Sequence, residues 1–232
     1  MEVKLLEEKG NTAKFLFKGT THIFMNALRR QIMAGTPVLA IEEVHIYQNT
    51  GVMFDEMFSH RLAMVPLKHD PKRYKLGDKV KLVIEKEGPC TVYSKDIKST
   101  DPKIEPAELN ILLTKLQEGK KIKMELDAVV GIGKEHAKWQ PAIVSFQELP
   151  IVTGEGKKKG KSYKADMIET LLDGKQRDLI LDEGQKVEYD PTTFIFTVES
   201  HGNMSVKELF ESAIEELTGK SKEFRGELKN LS

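Results

Sequence analysis

The chain has 232 residues, and its 36 Lys and Arg side chains balance its 36 Asp and Glu side chains. This balance excludes a global field that would draw the protein onto nucleic acid or an anionic membrane, so contact with DNA is expected to be indirect. Hydrophobic residues make up 39% and charged residues 31%, which excludes a disordered chain and indicates a folded globular protein.

Compartment and cofactor chemistry are constrained by what the sequence lacks. No stretch approaches the roughly 20 apolar residues of a membrane span, and the N-terminal sequence MEVKLLEEKG has no signal-peptide layout. We therefore expect a cytoplasmic protein without membrane contact. Cys90 is the single cysteine, which excludes an intrachain disulfide and a four-cysteine zinc or iron–sulfur site. We expect no metal and no cofactor.

The first predicted elements are a β-hairpin and a helix. Apolar runs from Val3 and Ala13 flank the turn at Gly10-Asn11, as in two short antiparallel strands. After Gly19 the apolar spacing changes to that of a helix over residues 21–34, with Thr20 or Thr21 as its cap and an apolar stripe of Phe24, Leu28 and Ile32. Gly35 and Pro37 end this helix.

The middle of the chain predicts a mostly-β region. A strand runs from Val38 to Tyr47, and a short amphipathic helix from Phe54 to Met64 stops before Pro66. Residues 70–130 contain several alternating runs separated by turn residues, which indicates a small β module inserted into the chain.

The last predicted elements are a strand over residues 192–200 and a capped helix. Ser205 and Glu208 form a capping box, and the apolar stripe that follows is wide enough to need a partner surface. The first helix offers a similar stripe, so we expect the two ends of the chain to share one domain. The stripe consists of Val206, Leu209, Phe210, Ala213, Ile214 and Leu217.

One segment suggests an alternative, a stand-alone nucleotide-binding enzyme. Residues 154–162 end in the Gly-Lys-Ser of a phosphate-binding loop. The required glycine five positions before Gly160 is replaced by Glu155, whose carboxylate would face the phosphates. The six histidines show no metal-ligand spacing, and no nucleophile motif is present. We therefore expect no catalytic residues, and a lysine-rich surface loop at 154–162.

Two basic segments admit both a structural and a functional interpretation. Arg29 and Arg30 follow the first apolar stripe, where a solvated helix edge would look the same. His60 and Arg61 precede the apolar run that ends at Leu67, where an ordinary core helix is the alternative. An arginine beside apolar surface is typical of a protein contact. Both segments favour an interface.

The order of three motifs carries a family resemblance. The three motifs are, in this order, NALRRQIMAGTPVLAIEEVHI, FDEMFSHRLAMVPL and GIGKEHAKWQPA. Through them the chain resembles the alpha-type subunits of cellular RNA polymerases, above all the archaeal D subunits. The resemblance covers nearly the whole chain. It implies an α+β fold with a split dimerisation domain, residues 1–40 and 165–232, and a mostly-β insertion domain over residues 41–164.

The resemblance also implies partners and interface residues. Members of this family are non-catalytic assembly scaffolds that pair with a small alpha-like subunit, L, bind the small subunits N and P, and dock the second-largest catalytic subunit. Nucleotidyl transfer belongs to the complex. By this analogy the dimerisation interface comprises Phe24, Leu28, Ile32, Leu209, Phe210, Ala213, Ile214 and Leu217, and the assembly contacts comprise Arg29, Arg30, His60, Arg61 and Trp139.

The sequence departs from the family in one respect. Many D subunits carry a cysteine-rich domain with iron–sulfur clusters, whereas this chain has no cysteine after Cys90. We therefore expect no iron–sulfur cluster, and we interpret residues 151–190 as a shortened remnant of that domain.

Overall fold

Antiparallel sheets dominate the computed structural model, which describes residues 1–153 and 186–230. Packing divides the chain into two compact units, Met1–Arg29 with Val144–Glu199 and Arg30–Ile143 with Ser200–Ser232. Helices together with antiparallel sheets agree with the predicted α+β class. The described strands are β1 (Glu2–Lys9), β2 (Thr12–Lys18), β3 (Pro37–Asn49), β4 (Lys79–Glu87), β5 (Cys90–Tyr93), β6 (Lys98–Ser99), β7 (Leu112–Leu116), β8 (Lys121–Ile132), β9 (Ala142–Thr153) and β10 (Lys186–Ser200).

Three α-helices accompany these strands in the described residues: α1 (His22–Arg30), α2 (Asp55–Ala63) and α3 (Val206–Asn230). A π-helical turn, Gln31–Gly35, continues α1, and short 3-10 turns lie at Ser94–Asp96 and Ala137–Trp139. The predicted helix over residues 21–34 is therefore an α-helix that widens in its last turn. No helix in this part of the chain has the length and apolarity of a membrane span.

The first unit contains a four-stranded sheet in the order β1-β2-β10-β9. The β1–β2 hairpin is confirmed, because its register runs from Glu2 opposite Lys18 to Lys9 opposite Thr12. Gly10 takes a positive φ of 58° in the turn, where a glycine lacks the Cβ that would strain this conformation.

Aromatic rings fill the core of this first unit. Phe17, Phe194 and Phe196 are buried, and the Phe17 and Phe196 rings meet edge to face at 5.6 Å between centroids. Phe146 stacks on Phe196 at 6.3 Å. The predicted strand over residues 192–200 is confirmed within β10, and its alternating Phe194 and Phe196 side chains explain why it lies inside the sheet.

The second unit contains a four-stranded sheet in the order β3-β8-β4-β6 and a separate β5–β7 pair. Every second residue of β8 is buried, in the list Ile122, Met124, Leu126, Ala128 and Val130. This period-two pattern gives the sheet one apolar face and one charged face. Helix α2 covers the apolar face with Phe58 and Leu62, which belong to the same buried cluster. The mostly-β prediction for residues 70–130 is confirmed.

The structure leaves some of the predicted loops and domain bounds without a test. The loop at 154–162 and most of the interpreted domain remnant at 151–190 lie outside the described residues. The two packing units have other bounds than the predicted domains, because Ser200–Ser232 groups with Arg30–Ile143. The split dimerisation domain and the bounds of the insertion domain stay predictions.

Candidate interaction surfaces

Helix α1 buries one face and leaves apolar side chains on the other. Met25 and Leu28 are buried, whereas Ile23 and Phe24 are 82% and 40% exposed. Thr21 starts the helix, because its Oγ1 accepts a hydrogen bond of 3.3 Å from the Phe24 backbone N–H. The alternative cap, Thr20, is buried and donates its backbone N–H to the Thr192 carbonyl instead.

The π-helical turn after α1 packs against α3. Gln31 is buried there, and its Oε1 accepts a hydrogen bond of 3.1 Å from Lys220 Nζ on α3. The Gln31 amide lies against Gly35, where a Cβ would fall only 2.4 Å from Gln31 Nε2. Gly35 therefore leaves room for the Gln31 side chain, and Ile32 lies fully buried in the same turn.

Helix α3 begins after the predicted cap, Ser205, and extends to Asn230, well beyond the last residue of the predicted stripe, Leu217. The capping box is confirmed: Ser205 Oγ accepts from the Glu208 N–H at 3.3 Å, and Glu208 Oε2 accepts from the Ser205 N–H at 2.9 Å. Leu209 and Ala213 are fully buried in the chain's own core.

The outer face of α3 carries an apolar seam with heptad spacing. Ile214, Phe224 and Leu228 are 53%, 68% and 50% exposed, and the residues over 221–230 are exposed throughout. Positions 214, 217, 221, 224 and 228 alternate steps of three and four, which is the spacing of a helix that packs along another helix. We name the side chains of Ile214, Leu217, Ser221, Phe224 and Leu228 the α3 seam.

Helix α2 carries a third exposed apolar face. Phe54 just before the helix, Met57 and Met64 are 73%, 59% and 46% exposed. Their positions lie on one side of the helix, with Arg61 between them. Methionine adapts its shape to a partner, so this face suits a protein contact. We name Phe54, Met57, Arg61 and Met64 the α2 face.

The guanidinium of Arg61 donates hydrogen bonds to backbone carbonyls of the same chain. Its Nε donates to the Leu113 carbonyl at 3.0 Å, and its Nη2 donates to the Leu112 carbonyl. The side chain therefore fixes α2 to β7, a role for which lysine lacks the planar fork. His60 is exposed beside it and Arg30 is exposed at the end of α1.

A substitution that keeps the positive charge tests whether Arg61 stabilises the chain through its directed hydrogen bonds. We expect Arg61→Lys to lower the free energy of unfolding by about 1 kcal/mol, since one ammonium group replaces two directed donors. Urea denaturation measures this change, and Lys115→Arg on the same β7 strand is the control. Equal stability of the Arg61→Lys and wild-type chains would contradict the positioning role.

The structure buries Trp139, which the resemblance placed among the assembly contacts. Its side chain is only 7% exposed, and its Nε1 donates to the Val129 carbonyl at 3.0 Å. The indole lies against Gly131, where a Cβ would fall 2.4 Å from Cε2. Trp139 is therefore a core residue of the chain, and its predicted assembly contact stays a prediction. Sequence reasoning missed this because the residue lies in a short loop segment.

The predicted dimerisation residues divide into two groups. Leu28, Ile32, Leu209 and Ala213 are buried within the chain and support the helices from behind. Phe24 and Ile214 are exposed, whereas Phe210 and Leu217 are half-buried. Sequence reasoning missed the exposed Phe224 and Leu228, which share the seam. Among the predicted basic contacts, Arg29 is half-buried and its Nη2 donates to Asn26 Oδ1 at 3.0 Å.

Among the residues that the structure describes, three helices carry exposed apolar side chains on one face, which is typical of a protein that works inside a larger complex. Residues 44–151 match the family described as the RNA polymerase Rpb3/RpoA insert domain. The chain belongs to the Rpo3 family of archaeal DNA-directed RNA polymerase subunits, because relatives of that name are 31% to 37% identical to it over nearly their full length.

Full-length relatives carry this assignment. The chain is 37% identical to DNA-directed RNA polymerase subunit Rpo3 of Pyrococcus furiosus, over 100% of this chain and 98% of that protein. It is 36% identical to the subunit Rpo3 of Natronomonas pharaonis, over 96% and 95% of the two chains. It is 31% identical to that of Methanosarcina acetivorans, over 100% and 99%. The predicted resemblance to archaeal polymerase subunits is confirmed at this level.

Proposed function

We propose that this RNA polymerase subunit is an assembly scaffold of the D type, which forms a heterodimer with the small alpha-like subunit L. The α3 seam is the observation that carries the proposal. Phe224 and Leu228 lie beyond the last buried residue of α3, and half or more of the surface of each is left uncovered by the described residues of the chain. A single helix lying along positions 214–228 would bury them.

The exposed side of α1 is also assigned to subunit L, because the family resemblance implies that this helix belongs to the dimerisation interface. Ile23 and Phe24 present apolar surface next to the buried Met25 and Leu28. At about 25 cal/mol for each Å² of apolar surface removed from water, large exposed side chains of this kind supply much of the free energy of association. The buried members of the predicted set hold α1 and α3 in place and contribute indirectly.

The proposal gives the α2 face a different partner, the second-largest catalytic subunit. Met57 and Met64 supply adaptable apolar surface, and Arg61 holds the helix to β7. Exposed His60 lies at the edge of this face, while Arg29 and Arg30 offer positive charge near the end of α1. Subunits N and P complete the proposed assembly, which contacts DNA only through the whole polymerase in the cytoplasm. The proposal assigns the catalytic residues, and any cofactor of catalysis, to other chains.

Co-expression with subunit L from the same genome tests the heterodimer. We expect a one-to-one complex by mass-resolved size-exclusion chromatography, and we expect Phe224→Asp to weaken it at least tenfold, because association would desolvate the new carboxylate without a partner. Phe224 is exposed in the free chain, so the substitution leaves the fold intact, unlike a charge at the buried Leu28.

Gly226→Asp is a matched control for the same charge. It lies two residues after Phe224, about 200° around the helix axis, and a Cβ at this position meets no atom within 4 Å. We expect it to bind L like the wild-type chain. A wild-type chain that stays monomeric in the presence of L, or equal binding by Phe224→Asp and Gly226→Asp, would overturn the proposed interface.

A further inference from the structure

A cluster of potential metal ligands lies on the charged face of the β3–β8 pair. Glu43 and His45 on β3 meet Asp127 on β8, and their ligand atoms all lie within 4.8 Å of one another. His45 Nε2 is 3.4 Å from Asp127 Oδ2 and 3.9 Å from Glu43 Oε2. None of these residues belongs to the α3 seam or the α2 face.

The strand register places two carboxylates opposite each other. Glu43 pairs directly with Asp127, just after an irregularity in β3 between Ile41 and Glu43. Like charges at directly opposed positions destabilise a sheet, and the lysine that the register places opposite Asp127, Lys81 of β4, lies on the side away from Glu43. The neighbouring carboxylate, Glu125, is held by the Tyr47 hydroxyl, which donates to its Oε2 at 3.0 Å. Glu43 and Asp127 are therefore the two carboxylates aimed at the imidazole.

The distances suit a small transition-metal ion. A tetrahedral ion with bonds of about 2.0 to 2.1 Å holds its ligand atoms about 3.3 Å apart. The His45–Asp127 separation of 3.4 Å already has this value. The His45–Glu43 separation of 3.9 Å needs only a small side-chain rotation, and the Glu43 side chain is 58% exposed and free of the core. Asp127, at 17% exposure, is the sheltered and fixed ligand.

The ligand types indicate which ions would bind. An imidazole with two carboxylates suits Zn²⁺ and related divalent transition metals, whereas Ca²⁺ and Mg²⁺ prefer oxygen ligands alone. We propose that Glu43, His45 and Asp127 bind one divalent transition-metal ion of the Zn²⁺ class on the outer face of the second unit, with water completing its coordination. The bound ion links β3 to β8 and removes the repulsion between the two opposed carboxylates.

Titration of the full chain with Co²⁺ tests this site, because visible absorption reports the coordination of the ion. We expect one equivalent of Co²⁺ to bind and Zn²⁺ to displace it. We expect His45→Ala and Asp127→Asn each to weaken this binding at least tenfold. The matched controls are Glu125→Gln, which removes the neighbouring carboxylate of the same strand, and His136→Ala, which removes an exposed imidazole elsewhere.

The outcomes discriminate between a site and a surface ion pair. Loss of Co²⁺ binding in His45→Ala and Asp127→Asn, with binding kept in both controls, supports the site. Wild-type binding that survives His45→Ala, or a wild-type chain that binds no Co²⁺ at millimolar concentration, overturns it. The His45 side chain is 51% exposed, so its replacement leaves the fold intact. The metal affinities of the variant and the wild-type chain can therefore be compared directly. Heterodimer formation does not enter this measurement.

Discussion

Replacing Trp139 by alanine is expected to lower the free energy of unfolding by about 3 to 5 kcal/mol, the range for removing a buried aromatic side chain. The indole fills the space over Gly131 and is 7% exposed. The substitution also removes the donor to the Val129 carbonyl. Urea denaturation of the full chain, with the transition followed by far-ultraviolet circular dichroism, measures the loss.

Two further variants separate the contributions of ring volume and hydrogen bond. Trp139→Phe keeps an aromatic ring but removes the Nε1 donor, so we expect a smaller loss of about 1 to 2 kcal/mol. Gly131→Ala keeps the tryptophan but places a methyl group 2.4 Å from the ring, and we expect it to destabilise the chain as well. If Trp139→Ala folded with wild-type stability and only failed to join the polymerase, Trp139 would be the assembly contact that the sequence predicted.

Trp139 shows where sequence reasoning stops. The residue lies in a short segment between Gly133 and Pro141, and such a loop position predicts exposure. Its burial depends on a groove over Gly131, which becomes visible only when β8 and the following turn are placed together. Sequence patterns predict a feature correctly when it depends only on residues close together in the sequence. The Ser205–Glu208 capping box and the strand within β10 are two such features, and both were predicted correctly.

Only the first part of the α3 seam, Ile214 and Leu217, was predicted from the sequence. The apolar stripe was followed as far as Leu217, because Ser221 interrupts it and lysine and glutamate surround the later positions. Phe224 and Leu228 keep the heptad spacing, so the signal for the rest of the seam was present in the sequence. The wide turn at Gln31–Gly35 had no such signal, and the hydrogen bond between its Gln31 side chain and Lys220 joins positions far apart in the sequence.

His69 is a buried histidine whose environment no local pattern predicts. It is 6% exposed, and its backbone N–H donates to the Asn203 carbonyl at 2.9 Å. Asn203 in turn donates to the Leu67 carbonyl, 136 positions away in the sequence. Neither ring nitrogen of His69 has a hydrogen-bond partner among the described residues. Burial is the main reason that the pKa of His69 falls to about 4, although Asp70 and Glu208 nearby oppose the shift.

This lowered pKa makes stability depend on pH in a defined direction. An unfolded histidine takes up a proton near pH 6.5, whereas the folded chain resists protonation until about pH 4. The unfolded state therefore binds more protons in this window, and the stability present above pH 6.5 is lost as the pH falls towards 4. At about 1.4 kcal/mol for each tenfold change in proton affinity, the loss reaches about 3 kcal/mol.

His69→Leu removes the titrating group at nearly constant volume, so the variant is expected to lose less stability than the wild-type chain between pH 6.5 and pH 4. Urea denaturation of both chains across this window gives the difference, which cancels the carboxylates that titrate in each. His201→Gln, at an exposed position, is the matched control and is expected to keep the wild-type dependence. Parallel stability curves for His69→Leu and wild type would show that His69 is protonated as easily in the folded chain as in the unfolded one, and that water or a partner reaches its ring.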